Sequence, residues 1–88
     1  MANYSIYFRE SVRKDFKIIP KADVKKILQK IEALANNPLP AAAEKLSGYP
    51  YYRIRHGNYR IVYSIEAEQL SIWVIKIAHR KDVYRQLS

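Results

Sequence analysis

Arginines that alternate with apolar residues stand out in the C-terminal half of the chain. Arg53, Arg55 and Arg60 lie between Lys45 and Ile65, a stretch that contains no acidic residue and otherwise has the pattern of β-strands. Arginine is always charged, and its planar fork of donors matches the oxygens of a phosphate group. We therefore interpret these side chains as a candidate phosphate-binding cluster, and the alternative is a set of solvated surface arginines.

A second group of candidates lies in the segment His79-Arg80-Lys81-Asp82-Val83-Tyr84. The phenol of a tyrosine has a pKa of about 10, and neighbouring cations lower that pKa because they favour the phenolate. Tyr84 is therefore a candidate general base, with an aromatic side chain packed on the core as the alternative. Histidine titrates nearer neutrality; we expect a structural or substrate-contacting role for His79 and a place at a turn for His56.

The charge balance indicates a polyanionic partner. The chain has 16 Lys and Arg against eight acidic residues, a net charge of +8, and nucleic acid is the first candidate. In the first 40 residues the basic side chains are interleaved with Glu10, Asp15, Asp23 and Glu32, which is typical of solvated helix faces. With no cysteine and two histidines, no metal site is expected. No apolar run is long enough for a membrane span, so a cytoplasmic protein is expected.

The remaining pattern predicts the elements that must position these residues, as one domain over residues 1–88. A strand is predicted over Asn3–Phe8, and a short helix over Arg9–Lys17. Pro20 suits the first turn of a second helix, whose apolar stripe extends from Val24 to Ala35. A connection over Ala41–Pro50 follows, with Leu46 as its anchor to the core. The three strands then predicted form an antiparallel meander: Tyr51–His56, Asn58–Ile65 and Leu70–Ile77.

Strand alternation predicts which side chains share a face of this sheet. Arg53 and Arg55 lie on one face, and either two-residue loop at His56-Gly57-Asn58 brings Arg60 to the same face. The third strand is apolar on both sides, so the helices should pack on it. The predicted fold is therefore α+β, with the N-terminal strand and two helices on one face of a curved antiparallel sheet and the arginines on the other.

Three segments together resemble a known family: Leu46-Ser47-Gly48, the run from Tyr52 to Tyr63, and the run from Ile77 to Tyr84. They contain an R-x-R-x-G-x-Y-R-x-x-Y hairpin followed by H-R-x-x-x-Y, and they closely resemble the RelE branch of the RelE/ParE toxin superfamily. The resemblance covers nearly the whole chain. It implies the fold just described and the toxin of a type II toxin–antitoxin pair.

The resemblance also implies an activity, partners and residue roles. The activity is cleavage of mRNA without metal or other cofactor, typically in the ribosomal decoding site. The partner is a cognate antitoxin, acidic and with a helical segment that wraps the toxin, and operator DNA is reached only through the antitoxin complex. The family's roles fall on Arg60, Arg80 and Tyr84, which we expect to be catalytic, and on Arg53 and Arg55, which we expect to bind the substrate. We expect His79 and Lys81 to contact the substrate as well.

Two alternatives remain open at this point. A ParE-like toxin shares the fold but inhibits DNA gyrase, and a non-catalytic nucleic-acid-binding or repressor partner would keep the basic face but would tolerate loss of Tyr84. Well-known ribosome-dependent relatives carry lysines where this chain has Arg53 and Arg55. The charge is the same, but arginine does not give up its proton, so the assignment of acid and base is less certain than the cluster itself.

Overall fold

The computed structural model describes residues 3–82, which form two helices packed on one face of a five-stranded sheet. The elements are β1 (Ser5–Phe8), α1 (Glu10–Ile18), α2 (Lys21–Leu34), β2 (Glu44–Lys45), β3 (Tyr52–His56), β4 (Tyr59–Glu66), a 3-10 turn (Ala67–Gln69) and β5 (Ser71–His79). The predicted α+β class, the two helices and the β3–β4–β5 meander are confirmed. Neither helix of this region is long and apolar enough to cross a membrane.

The sheet is mixed and includes the N-terminal strand at its edge, which corrects the expectation of an antiparallel sheet with that strand packed on one face. Its strand order is β1-β5-β4-β3-β2, and β1 runs parallel to β5 with Ser5 opposite Ser71 and Phe8 opposite Val74. Alternation within a strand indicates which residues share a face, but it carries no information about the direction of the neighbouring strand. The two residues of β2 were expected to be part of a connection, because a strand this short has no recognisable period.

The main core lies between the helices and the sheet. Its buried residues come from both layers: Val12, Ile19, Ile27, Ile31 and Leu34 from the helical part, and Ile54, Ile61, Tyr63, Ile72, Val74 and Ile77 from the sheet. A second, smaller cluster of Leu46, Val62 and Ile75 lies apart from it. Leu46 thus anchors its connection as predicted, but to this second cluster on the open face of the sheet.

A bulge in β5 explains why Ile75 and Ile77 lie on different faces, although simple alternation put them together. Tyr63 pairs with Val74 whereas the preceding Val62 pairs with Lys76, so Ile75 is the extra residue. Ile77 then returns to the helix side, where it joins the main core. The bulge therefore gives β5 apolar residues on both faces, with Ile75 in the small cluster on the open face and Ile77 in the main core under the helices.

Helix α1 continues the edge of the sheet where β1 ends. The N–H of Arg9 donates to the Val74 carbonyl at 3.0 Å, and the Asp15 carboxylate accepts the N–H of Ile77 at 3.1 Å. The other Asp15 oxygen is 2.6 Å from Lys76 Nζ, and only 5% of Asp15 is exposed. The interpretation of Asp15 as a solvated helix charge was wrong, because this carboxylate satisfies an edge N–H of β5 that a strand would otherwise bond.

Two further polar contacts attach the second helix and its following loop to the sheet. His56 ends β3, next to the turn at which it was expected, and its Nε2 lies 3.0 Å from Asp23 Oδ1 in the first turn of α2. The fully buried Tyr63 donates its hydroxyl to the Pro38 carbonyl at 2.7 Å. Burial, with a smaller effect of Tyr52, raises the pKa of Tyr63 to about 12.

We expect Asp15→Ala to lower the free energy of unfolding by about 3–5 kcal/mol, because it leaves Lys76 without its anion and an edge N–H without its acceptor. Glu32→Ala, on the exposed side of α2, is the matched control and should change stability by less than about 0.5 kcal/mol. Urea denaturation of both variants measures the difference. Equal losses in the two variants would show that Asp15 contributes no more than a surface charge.

The Tyr63 phenol should make stability fall in strongly alkaline solution. Its pKa of about 12 lies above the ordinary value of 10.0, so the stabilisation is fully present below about pH 10 and is lost as pH rises towards 12. In Tyr63→Phe the missing hydrogen bond should cost about 1 kcal/mol at neutral pH, and the alkaline loss should be smaller than in the parent. Denaturation midpoints compared from pH 8 to 12 test this, and parallel pH curves would contradict it.

Candidate active site on the open face of the sheet

The β3–β4 hairpin determines the positions of the three central arginines. His56 pairs with Tyr59, so the loop consists of Gly57 and Asn58 alone. Gly57 has φ +56°, and a glycine with positive φ at the first loop position fits a type II′ hairpin turn. With this register Arg55 lies directly opposite Arg60, and Arg53 lies two residues further along the same face. The structure therefore brings Arg53, Arg55 and Arg60 together.

A carboxylate from the preceding connection completes this cluster. Glu44 of β2 pairs with Arg53, and its Oε2 accepts a hydrogen bond from Arg53 Nη2 at 2.7 Å, while Arg55 Nη2 lies 3.7 Å from Oε1. The hydrogen bond and charge of Arg53 lower the pKa of Glu44, with smaller contributions from Arg55 and Arg60. Glu44 is therefore an anion at neutral pH, and it partly offsets the repulsion between cations that face each other across the strands.

Sequence reasoning missed Glu44, although it immediately precedes the acid-free stretch. The signal that would have found it is the pairing of β2 with β3, which the sequence pattern does not reveal. An anionic complement to the arginines was expected, and in this structure a side chain of the chain itself lies where such an anion would bind.

Arg60 lies beside the hairpin loop. It is half-buried, and its Nη1 donates to the carbonyls of Tyr59 and Gly57 at 3.3 and 3.4 Å. These contacts hold the guanidinium group at the loop end of the sheet. A half-buried cation held by backbone carbonyls is preorganised for an anion, because little side-chain freedom remains to be lost on binding.

The C-terminal candidates reach the same end of the sheet, but not all on the same face. The N–H of Arg80 donates to the Asn58 carbonyl at 2.7 Å, which places its backbone beside the hairpin loop. Lys81 is exposed in the following turn, with its N–H 3.4 Å from His79 Nδ1. His79 pairs with Tyr59 and contacts its ring edge-on at 6.1 Å, on the helix side of the sheet. Tyr84 lies outside the described residues.

The chemistry of this end of the sheet is that of charge stabilisation. Within residues 3–82 no group of three or more His, Asp and Glu side chains is arranged to hold a metal ion. The side chains that converge here are guanidinium groups, which hydrogen-bond to and neutralise phosphoryl oxygens. The site can therefore bind a phosphodiester and stabilise negative charge that develops on it.

Comparison with known proteins identifies the class of protein to which this site belongs. Residues 6–84 match the family model described as the ParE toxin of the type II toxin–antitoxin system parDE. Two toxins of Methanocaldococcus jannaschii are similar along most of their length. "Toxin RelE3" is 38% identical over 90% of this chain and 93% of its own, and "Putative toxin RelE1" is 30% identical over 93% and 96%.

Solved structures agree with the sequence comparison. A chain of the archaeal RelE–RelB complex from Pyrococcus horikoshii OT3 matches this chain with a TM-score of 0.78 at 29% identity, and the match covers 91% of this chain and 97% of the other. The intact RelBE toxin–antitoxin complex of Escherichia coli matches with a TM-score of 0.76 at 25% identity, covering 86% and 95%. The chain therefore belongs to the RelE/ParE superfamily of type II toxin–antitoxin toxins, in its RelE-like branch, and the resemblance seen in the sequence is confirmed.

Removal of the Glu44 charge should strengthen anion binding at this site. In Glu44→Gln the carboxylate no longer competes for Arg53 and Arg55, so a short single-stranded RNA should bind several-fold more tightly at fixed salt. The control is Glu68→Gln, which makes the same charge change at an exposed position beyond the opposite end of β4. Fluorescence anisotropy measures both. Equal effects of the two variants, or weaker binding by Glu44→Gln, would contradict the competition.

Proposed function

We propose that this chain is the ribonuclease toxin of its toxin–antitoxin pair and that it cleaves mRNA without a metal ion. The observation that carries the proposal is the convergence of Arg53, Arg55 and Arg60 on one sheet face, with the backbone of Arg80 at the same end. Stability alone does not account for this arrangement, because cations opposite each other across strands repel. Membership of the RelE-like toxins supports the same function.

The proposed reaction is an attack of the ribose 2′-hydroxyl on the adjacent phosphorus. Tyr84 removes the proton of the 2′-hydroxyl, and the 2′-oxygen forms a bond to phosphorus. Arg60 stabilises the negative charge that develops on the phosphoryl oxygens, as preorganised donors do in other sites. The bond to the 5′-oxygen then breaks, Arg80 stabilises the departing oxygen, and solvent supplies its proton. The products carry a 2′,3′-cyclic phosphate and a 5′-hydroxyl.

The remaining site residues bind the RNA in this proposal. Arg53 and Arg55 contact phosphates next to the cleaved bond. The ion pairs that both arginines form with Glu44 must therefore break when RNA binds. The exposed Lys81 adds a further cation at the hairpin end. His79 contacts the substrate from the edge of the site or supports the turn that carries Lys81, in keeping with its ring nitrogen near the Lys81 N–H.

The partners proposed for this chain follow from its charge and its family. A net charge of +8 favours an acidic antitoxin with a helical segment that wraps the domain. Three solved structures similar to this chain are complexes of RelE with RelB, which supports an antitoxin partner here. We propose that the toxin acts in the cytoplasm on mRNA in the ribosomal decoding site, and that it contacts operator DNA only through the antitoxin complex.

The ranking of site residues tests the mechanism. Arg60→Ala should be the most damaging single change, with a loss of about 3–4 kcal/mol of transition-state stabilisation. Arg80→Ala and Tyr84→Phe should each slow the chemical step by about 10²–10⁴-fold and leave binding nearly unchanged. The measurement is single-turnover cleavage of mRNA on a programmed ribosome, beside a binding assay in the same salt.

The control for this series is Lys25→Ala, which removes an exposed cation of α2 and should change little. Arg53→Ala and Arg55→Ala should weaken RNA binding as well as the rate. Cleavage should persist with EDTA in an assay in which ribosome integrity is maintained by other means. A Tyr84→Phe protein that cleaves at the parent rate would remove the phenol as base and return that role to His79 or another group.

Gyrase inhibition is the alternative that the same family model raises, since its description names ParE toxins. Brief induction in cells separates the two functions. Ends of mRNA mapped with and without translation should show new cleavage sites, whereas a gyrase inhibitor produces double-strand DNA breaks with intact mRNA. Absence of both would favour a non-catalytic binding protein.

A further inference from the structure

Two pairs of stacked aromatic rings lie on the open face of the sheet, at the end opposite the hairpin loop. Tyr7 of β1 and Trp73 of β5 are paired in register, and their rings stack with centroids 5.1 Å apart and planes inclined by 23°. Tyr49 and Tyr51 stack in the same way, 6.1 Å apart and inclined by 12°. Trp73 is 39% and Tyr7 45% exposed, so both rings are accessible from solvent.

A slot separates the two aromatic pairs because a small residue lies between them. On one side of Ser64 in β4 lies Trp73, with which Ser64 pairs. On the other side lies Tyr51, because Tyr51 immediately precedes Tyr52, and Tyr52 pairs with Tyr63, the residue before Ser64. A cavity of about 560 Å³ opens there, and its lining includes Trp73, Tyr51, Ser64, Pro50 and Ile75. Tyr7 and Tyr49 do not line it, and each of them stacks on a ring that does, Tyr7 on Trp73 and Tyr49 on Tyr51.

The spacing of the strands leaves room for a flat ring between the two aromatic pairs. Trp73 belongs to β5 and Tyr51 immediately precedes β3, so the two lie on either side of β4, and two strand spacings amount to roughly 9.5 Å. Stacked rings lie about 4.5–7 Å apart, so a planar group inserted between these walls stacks on both. The charged residues Arg9 and Glu66 also line the cavity, and with the Ser64 hydroxyl they offer donors and acceptors to the edge of such a ring.

We propose that this slot binds an unstacked base of single-stranded RNA, a few nucleotides from the phosphate bound by the arginines. The inference rests on the proposed function in that it takes RNA as the ligand of this face. Ser64 is four residues from Arg60 along β4, roughly 13 Å, and both positions belong to the open face. An RNA strand that follows β4 from the arginines reaches the slot within this distance. Aromatic walls beside a basic surface are the usual means of holding single-stranded nucleic acid.

The tryptophan itself reports on this slot, because Trp73 is the only one in the chain. The probe is a single-stranded oligoribonucleotide with 2′-O-methyl groups, which binds but cannot be cleaved. Saturable quenching of Trp73 emission is expected. Oligonucleotides that lack a base at one position in turn keep every phosphate, and one of them should lose the quenching and bind more weakly.

Variants of the slot residues distinguish base binding in the slot from nonspecific binding to exposed apolar surface. Trp73→Leu should weaken binding by roughly 5- to 150-fold, the range for loss of one stacked base, whereas Trp73→Phe should keep most of the affinity. Ser64→Leu fills the slot without removing a ring and should weaken binding as Trp73→Leu does. Ile18→Ala, which trims an 84% exposed side chain at the end of α1, is the control and should bind as the parent does.

Several results would overturn the proposal. The first is that Trp73 emission does not change although anisotropy shows that the oligonucleotide is bound. The second is that every abasic oligonucleotide binds with the same affinity. The third is that Trp73→Leu and Ser64→Leu both bind RNA as tightly as the parent protein. A change in emission with the antitoxin but not with RNA would assign the slot to a protein side chain. This experiment measures binding and not cleavage, so the two proposals can fail separately. Quenching without mRNA cleavage would support the slot and contradict the ribonuclease function. Cleavage without quenching would support the ribonuclease function and contradict the slot.

Discussion

The two-residue loop of Gly57 and Asn58 is the constraint on which the core and the site both depend, because it sets the register of β3 on β4. The register that places Arg55 opposite Arg60 also places Ile54 opposite Ile61 in the main core. A slip of one residue would exchange the two sets and bury guanidinium groups under the helices, at a cost of several kcal/mol for each charge. The fold therefore cannot form without also assembling the arginine cluster.

Beside this hairpin, β5 and helix α1 complete the apolar packing and the backbone hydrogen bonding of the sheet. The bulge at Ile75 gives β5 an apolar residue on the open face while Ile77 stays in the main core. Asp15 lets α1 replace β1 at the edge of β5, so the parallel strand can end at Phe8 without leaving that N–H unsatisfied. Both features stabilise β5, the strand whose end carries Arg80 to the hairpin loop.

Much of this arrangement was predictable from the sequence because it follows from local periodicity. Alternation and a short turn are enough to place Arg53, Arg55 and Arg60 on one face, and an apolar stripe is enough to find α2. The functions of Asp15 and Glu44 were not predictable, because each depends on contact with a strand distant in sequence or too short to recognise. The direction of β1 and the bulge at Ile75 were missed for the same reason, since pairing between strands determines both.

The connection between α2 and β3 has more influence on the open face than its irregular sequence suggests. It supplies Glu44 to the arginines and Leu46 to the small apolar cluster, and it leads to the stacked rings of Tyr49 and Tyr51. Each contact covers a different part of the sheet: charge near the hairpin, an apolar patch at the centre and aromatic rings at the far end. Exchange of this segment between relatives would therefore change the electrostatics and the aromatic slot together while β3–β4, and with it the arginine register, stayed the same.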